Sequence, residues 1–292
     1  MKAPDFLVIG AMKSGTTTLY EDLALHPGVA LGEKESAGLH RHDPRTLGGR
    51  TAYLRQWAHA PAGAVLGEVA TTYAMAPHHS GAPVRAAAVA PEARIVYIVR
   101  EPVARIVSHH HHDLSGGTVT VGIDEAVHDD ARFVDYSRYG TQLQLWRTHF
   151  PDDAIRIVRF EDYVADRRGE IDRLLAWLGI SPLPDEADVA NVYNASEGRQ
   201  SARGLTRRII HSDAYREALR PLVPKPLRSR VARAVLPTAP PRPSPPRPET
   251  VAWLVDQLRE EVSTVRQFTA EAVTWDLDVV LSAARDVARN RT

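Results

Sequence analysis

The sequence predicts an α/β fold: a P-loop-like, three-layer arrangement with a central, mainly parallel sheet flanked by helices. Two observations carry this. Continuous apolar runs recur through the first two thirds of the chain, and helical patterns separate them. Such runs suit parallel strands covered on both faces, and strand–helix alternation builds a parallel sheet. The first run also leads into a Gly-, Ser- and Thr-rich turn and then a helix, the outline of a phosphate-binding loop.

Each element follows in order. "DFLVIGA" reads as the first buried strand, and "TTTLYEDLALHP" as a helix ending before Pro27, with Leu19, Leu23 and Tyr20 on one face. Ala64–Ala70 is a second strand and "GAPVRAAAVAP" a helix. Ala93–Glu101 is a strongly apolar strand. A helix follows from Pro102 to about His112, where Pro suits the first turn. Ser137–Pro151 is helical, with Leu143, Leu145 and Trp146 as its apolar positions. "AIRIVRFEDYVAD" is a further buried strand. "RRGEIDRLLAWLGI" is an amphipathic helix with Ile171, Leu174, Leu175 and Leu178 at helical spacing. Past residue 182 the pattern turns polar and basic, then Pro-rich from Pro237 to Glu249. A last helix carries Trp253, Leu254 and Leu258 on one face. The expectation is a single domain, 1–292: an α/β core to about 182, a basic and Pro-rich stretch over 183–248, and a helical end over 249–292.

Composition narrows the function classes. Lys plus Arg and Asp plus Glu both number 36, so net charge is zero and no global basic field favours nucleic acid. Cysteine is absent, which excludes disulfides and thiolate metal sites. No apolar run is long enough to span a bilayer, and the short run after Lys2 lacks a secretory pattern. A cytoplasmic location is therefore expected. The Ala-, Arg- and Pro-rich usage suggests a bacterial source.

The first loop has the chemistry of an anion site. A strand–turn–helix junction aims backbone N–H groups at one spot, and the helix dipole adds positive potential. Gly15 permits close backbone approach. Thr16, Thr17 and Thr18 supply hydroxyls and Lys13 a mobile cation. Nucleotide hydrolases place lysine after the second glycine of such a loop, whereas Lys13 precedes Ser14 and Gly15. Arg100 closes an apolar strand, where open α/β sheets bind ligands, and its fork suits anions. Taken alone, Arg100 reads more readily as a salt-bridged strand end. A Mg-ATP enzyme would want an aspartate there to hold the metal. In the run His109–His112, only His109 and His112 share a helical face, and no carboxylates with metal-ligand spacing accompany them. No metal is expected.

Together these segments resemble the PAPS-dependent sulfotransferases, whose donor is 3′-phosphoadenosine 5′-phosphosulfate. "PDFLVIGAMKSGTTTLYEDLALHPGV" is similar to the family's 5′-phosphosulfate loop in its bacterial and heparan-sulfate-type branches. "RIVYIVREPVARIVSHH" is similar to its 3′-phosphate strand and helix, with arginine and serine at the family's spacing. Weaker echoes follow in "GEVATTY", "SRYGTQLQLWRTHFP" and "IRIVRFEDYVAD". The resemblance implies that Lys13 binds phosphosulfate oxygens and stabilises the departing nucleotide, adenosine 3′,5′-bisphosphate (PAP). It implies that Ser14 through Thr18 hold the 5′ end, that Arg100 and Ser108 hold the 3′-phosphate, and that Tyr139 lies near the nucleotide. Glu35 falls at the family's catalytic base, with His40 in reserve, and Glu68 and Tyr73 at its acceptor side. "SAGLH" stands where the family has two aromatics, which implies a different acceptor pocket. Arg199, Ser201, Arg203 and Gly204 fall at its late basic loop.

The expected function is transfer of a sulfuryl group to a hydroxyl, less readily an amine, of a small-molecule or saccharide acceptor, with a secondary metabolite among the possibilities. The alternatives are a Mg-ATP kinase or hydrolase, and a nucleotide-binding module without catalysis.

Overall fold

The computed structural model describes residues 1–189, 244–270 and 272–290. Among the described residues five strands form one parallel sheet: β1 (Phe6–Gly10), β2 (Val29–Leu31), β3 (Val65–Val69), β4 (Arg94–Val99) and β5 (Ile155–Arg159). Their order is β2-β3-β1-β4-β5, so β1 lies at the centre. Phe6 pairs with Gly67 on one side and Arg94 on the other.

The helices are α1 (Thr16–Leu23), α2 (Gly38–Arg41), α3 (Leu47–Leu54), α4 (Ala82–Val89), α5 (Pro102–Gly116), α6 (Ile123–Asp129), α7 (Arg132–Asp135), α8 (Tyr139–Arg147), α9 (Phe160–Ala165), α10 (Arg167–Trp177), α11 (Pro248–Phe268) and α12 (Leu277–Arg289). The period of two in each strand sends alternate side chains to opposite faces. Phe6, Val8, Val96 and Ile98 face a core closed by α1 and α10. Leu7, Ile9, Ile95, Tyr97 and Val99 face a second core closed by α4, α5, α8 and α11. Each such buried Leu, Ile or Val contributes roughly 1.5–3 kcal/mol of transfer free energy. The expected three layers are therefore present. Leu254 and Leu258 of α11 join the same core as β1. No helix among the described residues is long and apolar enough to cross a membrane.

Local signals explain the boundaries. Pro102 opens α5 as expected, and the Glu101 carboxylate caps it by accepting from Val103 N at 2.8 Å and Ala104 N at 2.6 Å. Gly117, at φ 70°, closes α5. Two expectations need correction. The last strand stops at Arg159, and Phe160–Ala165 is helix. Its partner β4 ends at Val99, which pairs with Arg159, so no ladder remains for "FEDYVA". Glu161 and Asp162 in the first turn then favour a helix N-terminus. Leu145, expected on the apolar face of α8, is 41% exposed. Strand β2 was not expected; three half-buried residues leave no apolar period to detect.

Candidate active site

The first loop leaves the carboxyl end of the central strand. Gly15, at φ 87°, starts α1, which has no side-chain cap and no acid in its first turn. A Cβ at Gly15 would lie 2.9 Å from the Phe160 ring, so both backbone conformation and space demand glycine. Lys13 also has positive φ, 71°. Behind the loop, the buried Asp22 of α1 accepts from the Tyr163 hydroxyl and from Arg167 Nε at 2.7 Å. That pairing fixes α1 to α9 and α10.

Arg100 arrives at the same place from β4. Its guanidinium lies 5.0 Å over the Phe160 ring, and Nη1 is a long 3.5 Å from the Lys13 carbonyl. Phe160 thus underlies both Gly15 and Arg100. Two helical turns on, Ser108 lines the same cavity as Arg100, about 410 Å³ in volume. Val251 of α11 and Val280 and Ala284 of α12 form its apolar side. The Ser14 hydroxyl is fully buried without a hydrogen-bond partner, and so is the Tyr139 hydroxyl. Burial pushes the Tyr139 phenol up to about 12, against the nearby Arg105 charge, the Arg100 backbone and the Ser14 hydroxyl. A buried hydroxyl in such a loop, Ser14's, with the Tyr139 hydroxyl beside it, fits a phosphate or sulfate oxygen. The residues present therefore suit a nucleotide phosphosulfate.

Arg105 supports this end from inside. It is wholly buried, donates from Nε to Ser137 Oγ at 2.6 Å and from Nη2 to the Phe133 carbonyl at 2.5 Å. It so positions the start of α8 and Tyr139. The histidines of α5 do not converge. His109 contacts Arg105 and Asp113, His110 Nε2 donates to the Val121 carbonyl at 2.9 Å, and His111 lines the cavity with Ser108. Among the described residues no group of three or more His, Cys, Asp or Glu is placed to hold a metal.

Across the sheet end lie the residues expected on the acceptor side. Glu35, at φ 57°, is anchored through its backbone N–H to the Val69 carbonyl at 2.9 Å. Its Oε2 accepts from Thr71 N at 2.9 Å and Thr71 Oγ1 at 3.0 Å, and Lys34 Nζ is 3.0 Å from Oε1. The carboxylate stays partly open to solvent, 36% exposed. A Cβ at Gly10 would lie 3.7 Å from the Thr71 carbonyl, so the Thr71 turn runs past the residue that leads into the Lys13 loop. His40 donates from Nε2 to the Thr72 carbonyl at 3.2 Å, which leaves Nδ1 as the acceptor. Burial holds its imidazole below the ordinary value, with His79 and Arg85 adding to the effect.

Glu68 differs from its sequence expectation. It has no exposed surface, and its carboxylate accepts from Tyr53 at 2.6 Å, Tyr73 at 2.7 Å, Ser36 at 2.8 Å and Gly38 N at 3.3 Å. A carboxylate so enclosed supports the Glu35–His40 segment rather than meeting an acceptor. Burial still pushes its pKa up against those four donors. The Tyr73 ring borders a small cavity of about 160 Å³ with His79 and Trp146. Arg199, Ser201, Arg203 and Gly204 lie outside the described residues.

Sequence reasoning missed Phe160, Thr71, Tyr53, Ser36 and Arg105. Thr71, Phe160, Ser36 and Arg105 fall inside segments quoted above but were not singled out there, and Tyr53 falls in none. Only Arg105 left a trace, as a charged residue on the apolar face of α5.

The model of the sulfotransferase domain family matches residues 3–196, which include the loop, Glu35, Arg100, Ser108 and Tyr139. Heparan sulfate glucosamine 3-O-sulfotransferase 3B1 of Mus musculus is 26% identical over 240 residues, covering 75% of this chain and 59% of that protein. Bifunctional heparan sulfate N-deacetylase/N-sulfotransferase 1 of Caenorhabditis elegans is 27% identical over 212 residues, covering 67% of this chain and 24% of that protein. The chain thus spans less than two thirds of these relatives' length. A sulfotransferase from Alicyclobacillus acidocaldarius shares the fold, with a TM-score of 0.61 at 16% identity over 94% of this chain and 98% of that one. The family match runs through both the Lys13 loop and the Arg100–Ser108 segment, and the chain belongs to the sulfotransferase domain family.

Proposed function

We propose that this protein moves a sulfuryl group from PAPS to a hydroxyl of a small-molecule or saccharide acceptor. One observation carries the reading. Arg100 Nη1 lies 3.5 Å from the carbonyl of Lys13 in the loop and shares one cavity with Ser108, and the Thr71 turn that holds the Glu35 carboxylate runs past Gly10, just before that loop. The relatives named for heparan sulfate favour a saccharide within that class.

Each group has a distinct task. Ser14, Tyr139 and the first N–H groups of α1 receive the 5′ phosphosulfate. Arg100 and Ser108 receive the 3′-phosphate. Lys13 supplies positive charge where negative charge grows on the departing bridging oxygen. Glu35 takes the acceptor's proton as the hydroxyl oxygen bonds to sulfur and the bond from sulfur to the bridging oxygen breaks. Thr71 and Lys34 fix the carboxylate for that role. In-line positioning by these groups carries much of the rate, as in phosphoryl transfer.

Incubation with PAPS and a panel of hydroxylated saccharides and small molecules tests this. The expected result is PAP release matched by a sulfated product. Metal-dependent ATP turnover, with PAPS untouched, contradicts it.

A further inference from the structure

We propose that His111 is a third side chain holding the donor's 3′-phosphate, beside Arg100 and Ser108, and that it makes donor affinity depend on pH. The inference rests on the donor reading above and adds a residue that the arginine–serine pair leaves out.

Residues three and four apart share a helical face. On α5 this places Ala104, Ser108 and His111 in one stripe, with Arg100 just before its first turn, and all four line the 410 Å³ cavity. Ala104 adds almost no bulk between Arg100 and Ser108. His111 is only 6% exposed, so its ring faces the interior. His109 stacks on Tyr136 with ring centroids 5.6 Å apart, and His110 bonds the Val121 carbonyl. His111 is the histidine of this run that borders the cavity.

The charges around it favour an anion. Arg100 and Glu101 are the other titratable side chains lining the cavity among the described residues. Glu101 spends its carboxylate oxygens on the Val103 and Ala104 N–H groups. The sides contributed by α11, α12 and Pro245–Pro246 are apolar. A phosphate entering beside Arg100 and Ser108 therefore meets two cationic groups once His111 is protonated. Imidazolium donates a charge-assisted hydrogen bond, and neutral imidazole a weaker one. The His111 contribution therefore grows as pH falls. A terminal phosphate changes charge near pH 6 on its own, so the test compares variants at each pH.

The experiment titrates the full-length protein with PAP and with adenosine 5′-phosphate, which lacks the 3′-phosphate, between pH 6 and pH 8. Wild type, His111→Gln and His111→Asn are measured, with melting curves to confirm folding; Asn serves if Gln fails to fold. The expected result is a loss of about tenfold in PAP affinity at pH 6, shrinking toward pH 8, with adenosine 5′-phosphate unaffected. Equal losses for both nucleotides, or none for either, overturn the His111 role while leaving the donor reading intact. A wild type that binds PAP no better than adenosine 5′-phosphate overturns the donor reading and this inference together.

Discussion

The two halves of the proposed site, one for donor and one for acceptor, are built differently. The donor half hangs from β1 and β4, the paired central strands, and its geometry is set by backbone: Gly15 at φ 87°, the start of α1 and the end of β4. The acceptor half hangs from the three-residue β2, positive-φ Glu35 and Ala37, and the four-residue α2. Side chains hold that half in place: Thr71 on Glu35, and Tyr53, Tyr73 and Ser36 on Glu68. A backbone-built donor site tolerates side-chain changes elsewhere. A side-chain-built acceptor segment does not. The difference predicts that donor binding and turnover separate cleanly by mutation.

Lys13→Ala breaks the comparison hardest. Turnover should fall on the order of 10³-fold, the scale of one lost transition-state charge contact, with the melting temperature unchanged. Glu35→Gln should lower kcat about 10²-fold, as expected for a lost general base, and leave PAP affinity intact. If turnover survives in Glu35→Gln, His40 becomes the base to test through its Nδ1.

Glu68→Gln sharpens the comparison. It sets an amide N–H₂ against hydroxyl donors, at a cost of about 1–3 kcal/mol, and should lower kcat with PAP affinity retained. Glu68 also leaves a pH signature. Its folded pKa is raised by burial, so the folded state holds this proton to higher pH than the unfolded state. Its contribution therefore declines as pH rises from the ordinary carboxylate range through the raised folded value. Melting curves across that window should show this decline in wild type and lose it in Glu68→Gln. Tyr53→Phe, which removes one of the Glu68 donors, should have the smallest effect, about 1 kcal/mol of stability.

This asymmetry also explains what could be read from the sequence. The donor half was legible because apolar strands, a glycine turn and an arginine at a strand end are local patterns. The three layers followed from the same alternation. The expectations for the acceptor half, Glu35, His40, Glu68 and Tyr73, came through resemblance alone. Its supports are single residues brought together across long separations: Tyr53 and Ser36 meet Glu68 only in the fold. Glu68 was recognised but misplaced, because a carboxylate's burial depends on partners that no local window contains. Phe160 was hidden inside an apparent strand, whose end is set by where β4 stops pairing.

The central claim is that the Lys13 loop and Arg100 form one site for a 3′-phosphorylated nucleotide. Calorimetric titration of the wild-type protein and Arg100→Ala with PAP and with ATP, each in the presence of a chelator, tests it most directly. The account predicts that wild type binds PAP more tightly than ATP, and that Arg100→Ala loses that preference. Tighter binding of ATP that depends on added metal, with PAP binding untouched by Arg100→Ala, would contradict it.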